Sequence, residues 1–307
     1  MTTQKGSSET IRETSSNSFC FDQFLQYGSP QHKPILDEKF LEWFIGFFEA
    51  EGSFLCWPNS NKNTNRFGIE ITQKDPKLMH KIRTTLGFGR VTTFTRQLDN
   101  GDGQTYTRFY IHDRKNLERI IFLLNGNLLT SKKQGQFKTW LTAINVDRQE
   151  RKKSLYELNN RTFDFNLLGN GWFSGFLESD AGFWVSSKCI RTNKDGSHSF
   201  ALRMKFYITQ DDEEFVTYIA KSFGFINTNV NSLTNSHDYK LYYRFETNRL
   251  DVHVRILEYL KRFPFLGNRS IQLKRWSRLL NYRIYAYPVT EKSTKKVMRL
   301  IDETKRT

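Results

Sequence analysis

Trp43-Phe-Ile-Gly-Phe-Phe-Glu-Ala-Glu-Gly-Ser-Phe54 and Trp172-Phe-Ser-Gly-Phe-Leu-Glu-Ser-Asp-Ala-Gly-Phe183 are one pattern written twice in a single chain, at an offset of 129. Working outward, Ile71-Thr-Gln-Lys-Asp75 matches Ile208-Thr-Gln-Asp-Asp212, and Gly87-Phe88 matches Gly224-Phe225, both at an offset of 137. Lys133, Gln136, Lys138 and Trp140 match Arg269, Gln272, Lys274 and Trp276 at an offset of 136. Collinear matches with a slowly changing offset indicate two copies of one structural unit.

The patterning predicts the same order of elements in each copy. A helix (38–51; 170–180) leads to a strand (53–58; 182–190), a polar turn (59–65; 191–198) and a second strand (66–73; 199–210). A period-3.6 helix follows (Pro76 to Leu86; Glu213 to Phe223), stopped by Gly87 or Gly224. Two more strands (89–97 and 104–111; 225–232 and 239–246) come next, joined in the first copy by the turn signal Asp99-Asn-Gly-Asp-Gly103. Helices over 114–124 and 134–146, and over 249–262 and 270–282, close the units. The fold class is α+β, with two αββαββα repeats, each carrying an additional helix. The domains expected are a polar extension (1–35), mobile or loosely draped, a first repeat (36–146), a polar linker (147–165), a second repeat (166–285) and a basic tail (286–307) that adds a short helix.

Composition narrows the function. The 307 residues hold 47 Lys+Arg against 32 Asp+Glu, a net charge of +15, with 15% aromatics. Disordered basic tails lack such aromatic content, and no apolar run approaches the roughly 20 residues of a membrane span. Residues 1–40 carry a net of −1 and residues 268–307 a net of +8, so the excess lies in the folded part and the C-terminal segment. A surface that binds phosphates needs that distribution. Cys20, Cys56 and Cys189 are widely spaced and suggest neither a disulfide framework nor a zinc site. The six histidines show no metal-ligand spacing and are expected to be surface or structural residues.

Gly46 and Ala50, and Gly175 and Ser179, are small residues four apart, which lets two helices pack closely. Glu51 and Asp180 end these helices, where the dipole disfavours an anion. Parallel packing would bring the two carboxylates together and add like-charge repulsion. A divalent cation between them would remove both penalties, and Mg²⁺ suits carboxylates with open positions for water and phosphate. Beside a basic surface, this points to phosphodiester hydrolysis. Glu49 and Glu178 fall on another side of each helix, with structural roles such as pairing with backbone donors.

Phe44-Ile-Gly-Phe-Phe-Glu-Ala-Glu-Gly52 and Phe173-Ser-Gly-Phe-Leu-Glu-Ser-Asp-Ala181 resemble the signature helices of a LAGLIDADG homing endonuclease of the single-chain, two-repeat type, over residues 36–285. The resemblance implies a monomer with pseudo-twofold repeats, signature helices at the interface and two antiparallel sheets forming a saddle over the DNA major groove. It further implies Mg²⁺-dependent double-strand cleavage with short 3′ overhangs, two or three ions shared between the helices, and Mn²⁺ able to substitute. Glu51 and Asp180 take the positions of the metal-binding acids. Gln73 and Gln210 take that of the polar residue which positions water. Lys133, with Lys132 as the alternative, and Arg269 take that of the basic residue near the start of the last core helix. Glu51 replaces Asp, and Ala181 replaces the final Gly of the signature.

Strand parity gives the DNA-reading candidates. They are Trp57, Asn59, Arg66, Glu70, Thr72, Arg96 and Arg108 in the first copy. In the second they are Trp184, Ser186, Lys188, Arg203, Lys205, Tyr207, Asn229, Asn231, Lys240 and Arg244. Two unlike faces suggest an asymmetric site of roughly 20 base pairs. Two alternatives stay open: an RNA maturase acting on its own intron, and a DNA-binding regulator with a dead nuclease site. Without a membrane segment or import signal, and given the family's habit, synthesis inside a mitochondrion, or alternatively a plastid, is expected.

Overall fold

A computed structural model describes residues 19–33, 36–59, 65–98, 101–160, 165–192, 198–225, 230–234, 240–285 and 291–305. Helix α1 (Glu38–Glu51) starts where the Asp37 carboxylate accepts from Lys39 N, an N-cap. Phe40, Leu41, Trp43, Phe44, Ile45, Phe47 and Phe48 are all buried, so α1 is apolar around its circumference and must lie inside the molecule. Strands β1 (Gly52–Pro58) and β2 (Asn65–Gln73), helix α2 (Pro76–Leu86), strands β3 (Arg90–Gln97) and β4 (Gly103–Ile111), and helices α3 (Arg114–Leu124) and α4 (Ser131–Glu150) complete the first copy. The second repeats the order with α5 (Trp172–Asp180), β5 (Ala181–Thr192), β6 (His198–Gln210), α6 (Glu213–Ser222), β7 (Val230–Thr234), β8 (Leu241–Thr247), α7 (Leu250–Arg262) and α8 (Arg269–Ile284). A final helix, α9 (Glu291–Lys305), packs on α8 and β5.

Both sheets are antiparallel, in the orders β1-β2-β4-β3 and β5-β6-β8-β7. The alternation expected of the second strands is present. Ile69 and Ile71, and Met204, Phe206 and Ile208, are buried beneath the helices, while the intervening residues line an open face. Gly87, at φ 79°, ends α2 in the left-handed conformation that glycine adopts without strain. One apolar core runs through both copies.

Three expectations need correction. Residues 19–33 are not draped loosely. Phe19, Phe21 and Phe24 are buried, a short π-helical turn (Phe24–Gly28) lies against α3, and Asn127 bonds both N–H and C=O of Cys20. The linker is not free along its length either. Helix α4 runs on to Glu150, and the following strand of chain is tied down where Asn145 exchanges hydrogen bonds with the Tyr156 backbone. The tyrosine ring stacks under Arg148 at 4.1 Å and its hydroxyl donates to Glu118 at 2.9 Å. Finally, β7 (Val230–Thr234) runs two residues past the expected end at 232, and Phe225, the expected start, is buried against Phe245 outside any strand, while 226–229 lie outside the described residues.

Candidate active site and nucleic-acid interface

Helices α1 and α5 are parallel. Near their N-termini Gly171 N donates to Glu42 Oε2 at 2.7 Å, and at their C-termini Ser179 Oγ donates to Glu51 Oε1. The approach is backbone against backbone. A Cβ on Gly46 would lie 1.9 Å from Trp172 O, and one on Gly175 1.9 Å from Trp43 O. The chain then leaves each helix identically, with Gly52 at φ −73°, ψ 150° and Ala181 at φ −80°, ψ 150°. Glycine at 52 is needed for space, since a Cβ there would lie 2.2 Å from the Phe48 ring. The second copy has Leu177 where the first has Phe48, and it carries Ala181 without strain.

This geometry brings the acids Glu51 and Asp180 together at the seam. Burial, and then the charge of Glu51, push the Asp180 carboxyl up to about 7, against the pull of its bond from Gln210 Nε2 and of the Arg269 charge. Gln73, the counterpart of Gln210, makes no equivalent bond, and Glu51 accepts from Ser179 instead. Lys133 is buried and donates from Nζ to the Gly52 carbonyl. Burial, and then the charge of Lys132, lower its pKa. Arg269 donates to the carbonyls of Leu177, Glu178 and Ser179 at 3.0, 3.2 and 3.2 Å, and burial lowers its pKa too. Both cations therefore sit on carbonyls where a signature helix ends, countering its dipole beside the acid pair.

Lys132 points away. Its Nζ lies 2.6 Å from Asp211 Oδ2, which Lys240 also reaches at 2.8 Å. Asp211 is partly desolvated, which alone would raise its pKa, but the two lysines outweigh this and hold it down at about 2. This clamp ties the first copy's last helix to the second copy's sheet. The sequence marked Ser179 only as a small packing residue, not as a donor to Glu51, and Asp211 carries no signal beyond its place next to Gln210.

Glu49 and Glu178 are buried braces, as the sequence suggested. Glu49 accepts from Leu129 N and Thr130 N, both at 2.7 Å, and from Trp172 Nε1 at 3.0 Å. Glu178 accepts from Leu266 N at 2.8 Å, Gly267 N at 2.5 Å and Trp43 Nε1 at 3.0 Å. Burial raises the pKa of both, and the donors oppose it.

Strand register places Trp57, Arg66, Glu70, Thr72, Arg108 and Arg96 on the open face of the first sheet; Asn59 follows the end of β1, partly buried. Trp184, Ser186, Arg203, Lys205, Tyr207, Arg244 and Asn231 share the open face of the second. Lys240 precedes β8; the side chain of Lys188, and Asn229 altogether, lie outside the described residues. Several of these cations are held over rings: Arg108 over Phe94 at 5.0 Å, Arg96 over Tyr106 at 5.7 Å, Arg244 over Tyr207 at 4.8 Å and Lys205 over Trp184 at 6.0 Å. Glu70 and Glu246 take bonds from Arg108 at 3.1 Å and Lys205 at 2.7 Å. Gly182 leaves room for the Tyr207 ring, which a Cβ would meet at 1.9 Å. The sequence candidates left out Phe94, Tyr106, Tyr110 and Tyr242, which share the parity of Arg96, Arg108 and Arg244 on the same strands, and His112, just past the end of β4. His112 packs against Trp57 and Tyr110, both at 4.8 Å. His253 is structural, bonded to Thr247 O at 3.1 Å.

A family profile described as LAGLIDADG endonuclease matches residues 44–144 and 173–280. The chain belongs to this family. The two matched stretches are the two copies. A probable intron-encoded endonuclease of Neurospora crassa is 29% identical over 193 residues, covering 62% of this chain and 32% of that protein. The intron-encoded RNA maturase bI4 of Saccharomyces cerevisiae is 22% identical over 275 residues, covering 87% and 38%. The chain thus spans well under two thirds of the length of these relatives. Among solved structures, the LAGLIDADG homing endonuclease I-LtrWI bound to target DNA superposes with a TM-score of 0.65 at 17% identity, covering 87% of this chain and 97% of that one. The LAGLIDADG meganuclease I-CpaMI bound to uncleaved DNA gives 0.63 at 16%, covering 85% and 98%. At such identity these likenesses speak for the fold, which in this chain is the α+β pair of repeats expected from the sequence.

Proposed function

We propose that this member of the LAGLIDADG family is a sequence-specific, metal-dependent DNA endonuclease that acts as a monomer and cuts both strands of an asymmetric site of roughly 20 base pairs, leaving 3′ overhangs. One observation carries the reading: Glu51 and Asp180 converge at the seam of two parallel helices, between two sheet faces lined with cations. The donor set fits a hard divalent cation such as Mg²⁺. Two carboxylates repel each other there, and among the described residues no third His, Cys, Asp or Glu joins them, so phosphate and water oxygens would complete the shell. When bound, the ions, two or three of them, supply an acidified water and charge stabilisation at the leaving oxygen, with Mn²⁺ able to replace Mg²⁺.

The chain's own groups do the rest. Gln210 and Ser179 orient the carboxylates. Lys133 and Arg269 hold positive charge beside the phosphate that is cut, where developing negative charge is stabilised. The cations resting on aromatic rings lie ready for bases and phosphates at little cost in side-chain entropy.

Glu51→Gln and Asp180→Asn test this. Each should abolish cutting of insertion-site DNA in Mg²⁺ while binding persists; undiminished cutting would overturn the assignment. An intron maturase activity is the second reading, favoured by the maturase relative that matches 87% of this chain. Splicing assays with purified protein and intron RNA decide it. The intron-encoded relatives make a mitochondrial origin the one we favour.

A further inference from the structure

The two hairpins that begin the sheets differ in reach. Between the helix exit and the end of the second strand the offset between copies rises from 129 to 137, so the second hairpin is eight residues longer. Strands β1 and β2 are 7 and 9 residues long, whereas β5 and β6 are 12 and 13 and stay paired out to Thr192 and His198. The second ribbon holds 11 pairs against 7 in the first, with a bulge between Cys189 and Arg191, and four more pairs at about 3.4 Å each carry it roughly 14 Å further. A two-stranded ribbon is marginal in water unless something backs it.

Helix α9 packs at the base of this ribbon. It packs on α8 and on β5 and buries Val297, Leu300, Ile301 and Thr304. Met298 Sδ accepts from Ser187 Oγ at 3.4 Å, and Ser187 lies where the added length begins, on the face opposite Trp184 and Ser186. Arg275 of α8 fastens the far end of α9, donating to Glu303 O at 2.9 Å. Among the described residues no helix takes this place in the first copy, between α4 and α5. Helix and added length occur together, on the same copy.

We infer that the second hairpin, buttressed by α9, reads about four base pairs beyond the reach of the first, so that the half-site under the second copy is the longer. The sequence of the added strand residues, 188–192 and 198–201, holds Lys188 and Arg191 and no acid. This rests on the DNA endonuclease reading, and it assigns α9 a role in specificity rather than in closing the chain end.

The test is selection of the full chain on a duplex library randomised over roughly 36 base pairs, with the preference read out at each position relative to the cut. The intact protein should specify about four more positions on one side. A variant lacking the facing segments 188–192 and 198–201, which removes the bulge and keeps Ser187 opposite Leu202, should lose those outer positions. Val297→Ala with Ile301→Ala, which loosens α9, should weaken discrimination there by about five-fold or more while leaving the inner positions as they were. Equal half-sites, outer preferences that survive the shortened hairpin, or inner and outer positions failing together would each overturn the inference while the endonuclease reading stands. If the intact chain selects no duplex at all, that reading falls and takes this one with it.

Discussion

Trp43 of the first copy donates its indole N–H to Glu178 of the second at 3.0 Å, and Trp172 does the same for Glu49. Each glutamate also accepts the backbone N–H groups that lead into its own copy's last core helix. Each helix start is thus held by a glutamate that an indole of the other copy also bonds. Glu178→Ala strands three donors and should cost about 3 kcal/mol or more, whereas Trp43→Phe should cost about 1 kcal/mol. Urea unfolding of the two variants checks the ranking. It should also give one cooperative transition for the whole molecule.

Gly46 and Gly175 make the close contact of the seam. Alanine at either position puts a methyl group 1.9 Å from a carbonyl oxygen that belongs to backbone and cannot swing away. Gly46→Ala should destabilise by about 1–3 kcal/mol or more and push the acid pair apart. Cleavage should fall much further than binding, as gel-shift and cutting assays on the same DNA would show.

The raised pKa of Asp180 has a definite sign in stability. Its folded value, about 7, exceeds the ordinary 3.8, so the folded chain holds a proton that the unfolded chain releases. Stability of the metal-free protein should therefore fall as pH rises from about 4 to about 7 and be affected no further by this group above that. Asp180→Asn should flatten this part of the slope in a series of thermal melts. Saturating Mg²⁺ should shift the apparent titration down, because a bound cation favours the carboxylate.

Phe24 is fully buried, beside Phe19 and Phe21, in a segment that looks polar on average. Phe24→Ala should lower stability by about 3–5 kcal/mol, measurable by chemical denaturation.

Affinity for DNA should fall steeply with salt, since both faces present several cations to phosphate. Lys205→Ala should reduce the slope of log K against log salt by about one if the lysine meets a phosphate; if it reads a base, the slope should hold while specificity relaxes at one position.

The duplication, the two α+β units and the acid pair were legible because each rests on a local pattern: a repeated helix, strand alternation and a carboxylate ending each helix. The period-3.6 pattern from Pro76 and the stop at Gly87 gave the observed bounds of α2, Pro76–Leu86. What escaped depends on contacts across the chain. The clamp of Asp211 on Lys132 joins residues 79 apart and follows from no periodicity. The burial of Phe19, Phe21 and Phe24 was masked by the Ser/Thr residues before them. Tyr106 and Tyr110 share the parity of Arg108 on β4, and what needed the pairing of β3 with β4 was the stacking of Phe94 on Tyr106.

The seam is built from main-chain contact around Gly46 and Gly175, an indole–carboxylate bond on each side, and the ties of Glu42 to Gly171, Ser179 to Glu51 and Lys132 to Asp211, all of them away from the open sheet faces. Halves that kept these groups would meet the same seam whatever residues lined their sheets. If the sheets read DNA as proposed, the molecule is a coupling whose jaws can be exchanged, and a lineage that trades halves would reach a new target in one recombination instead of many substitutions.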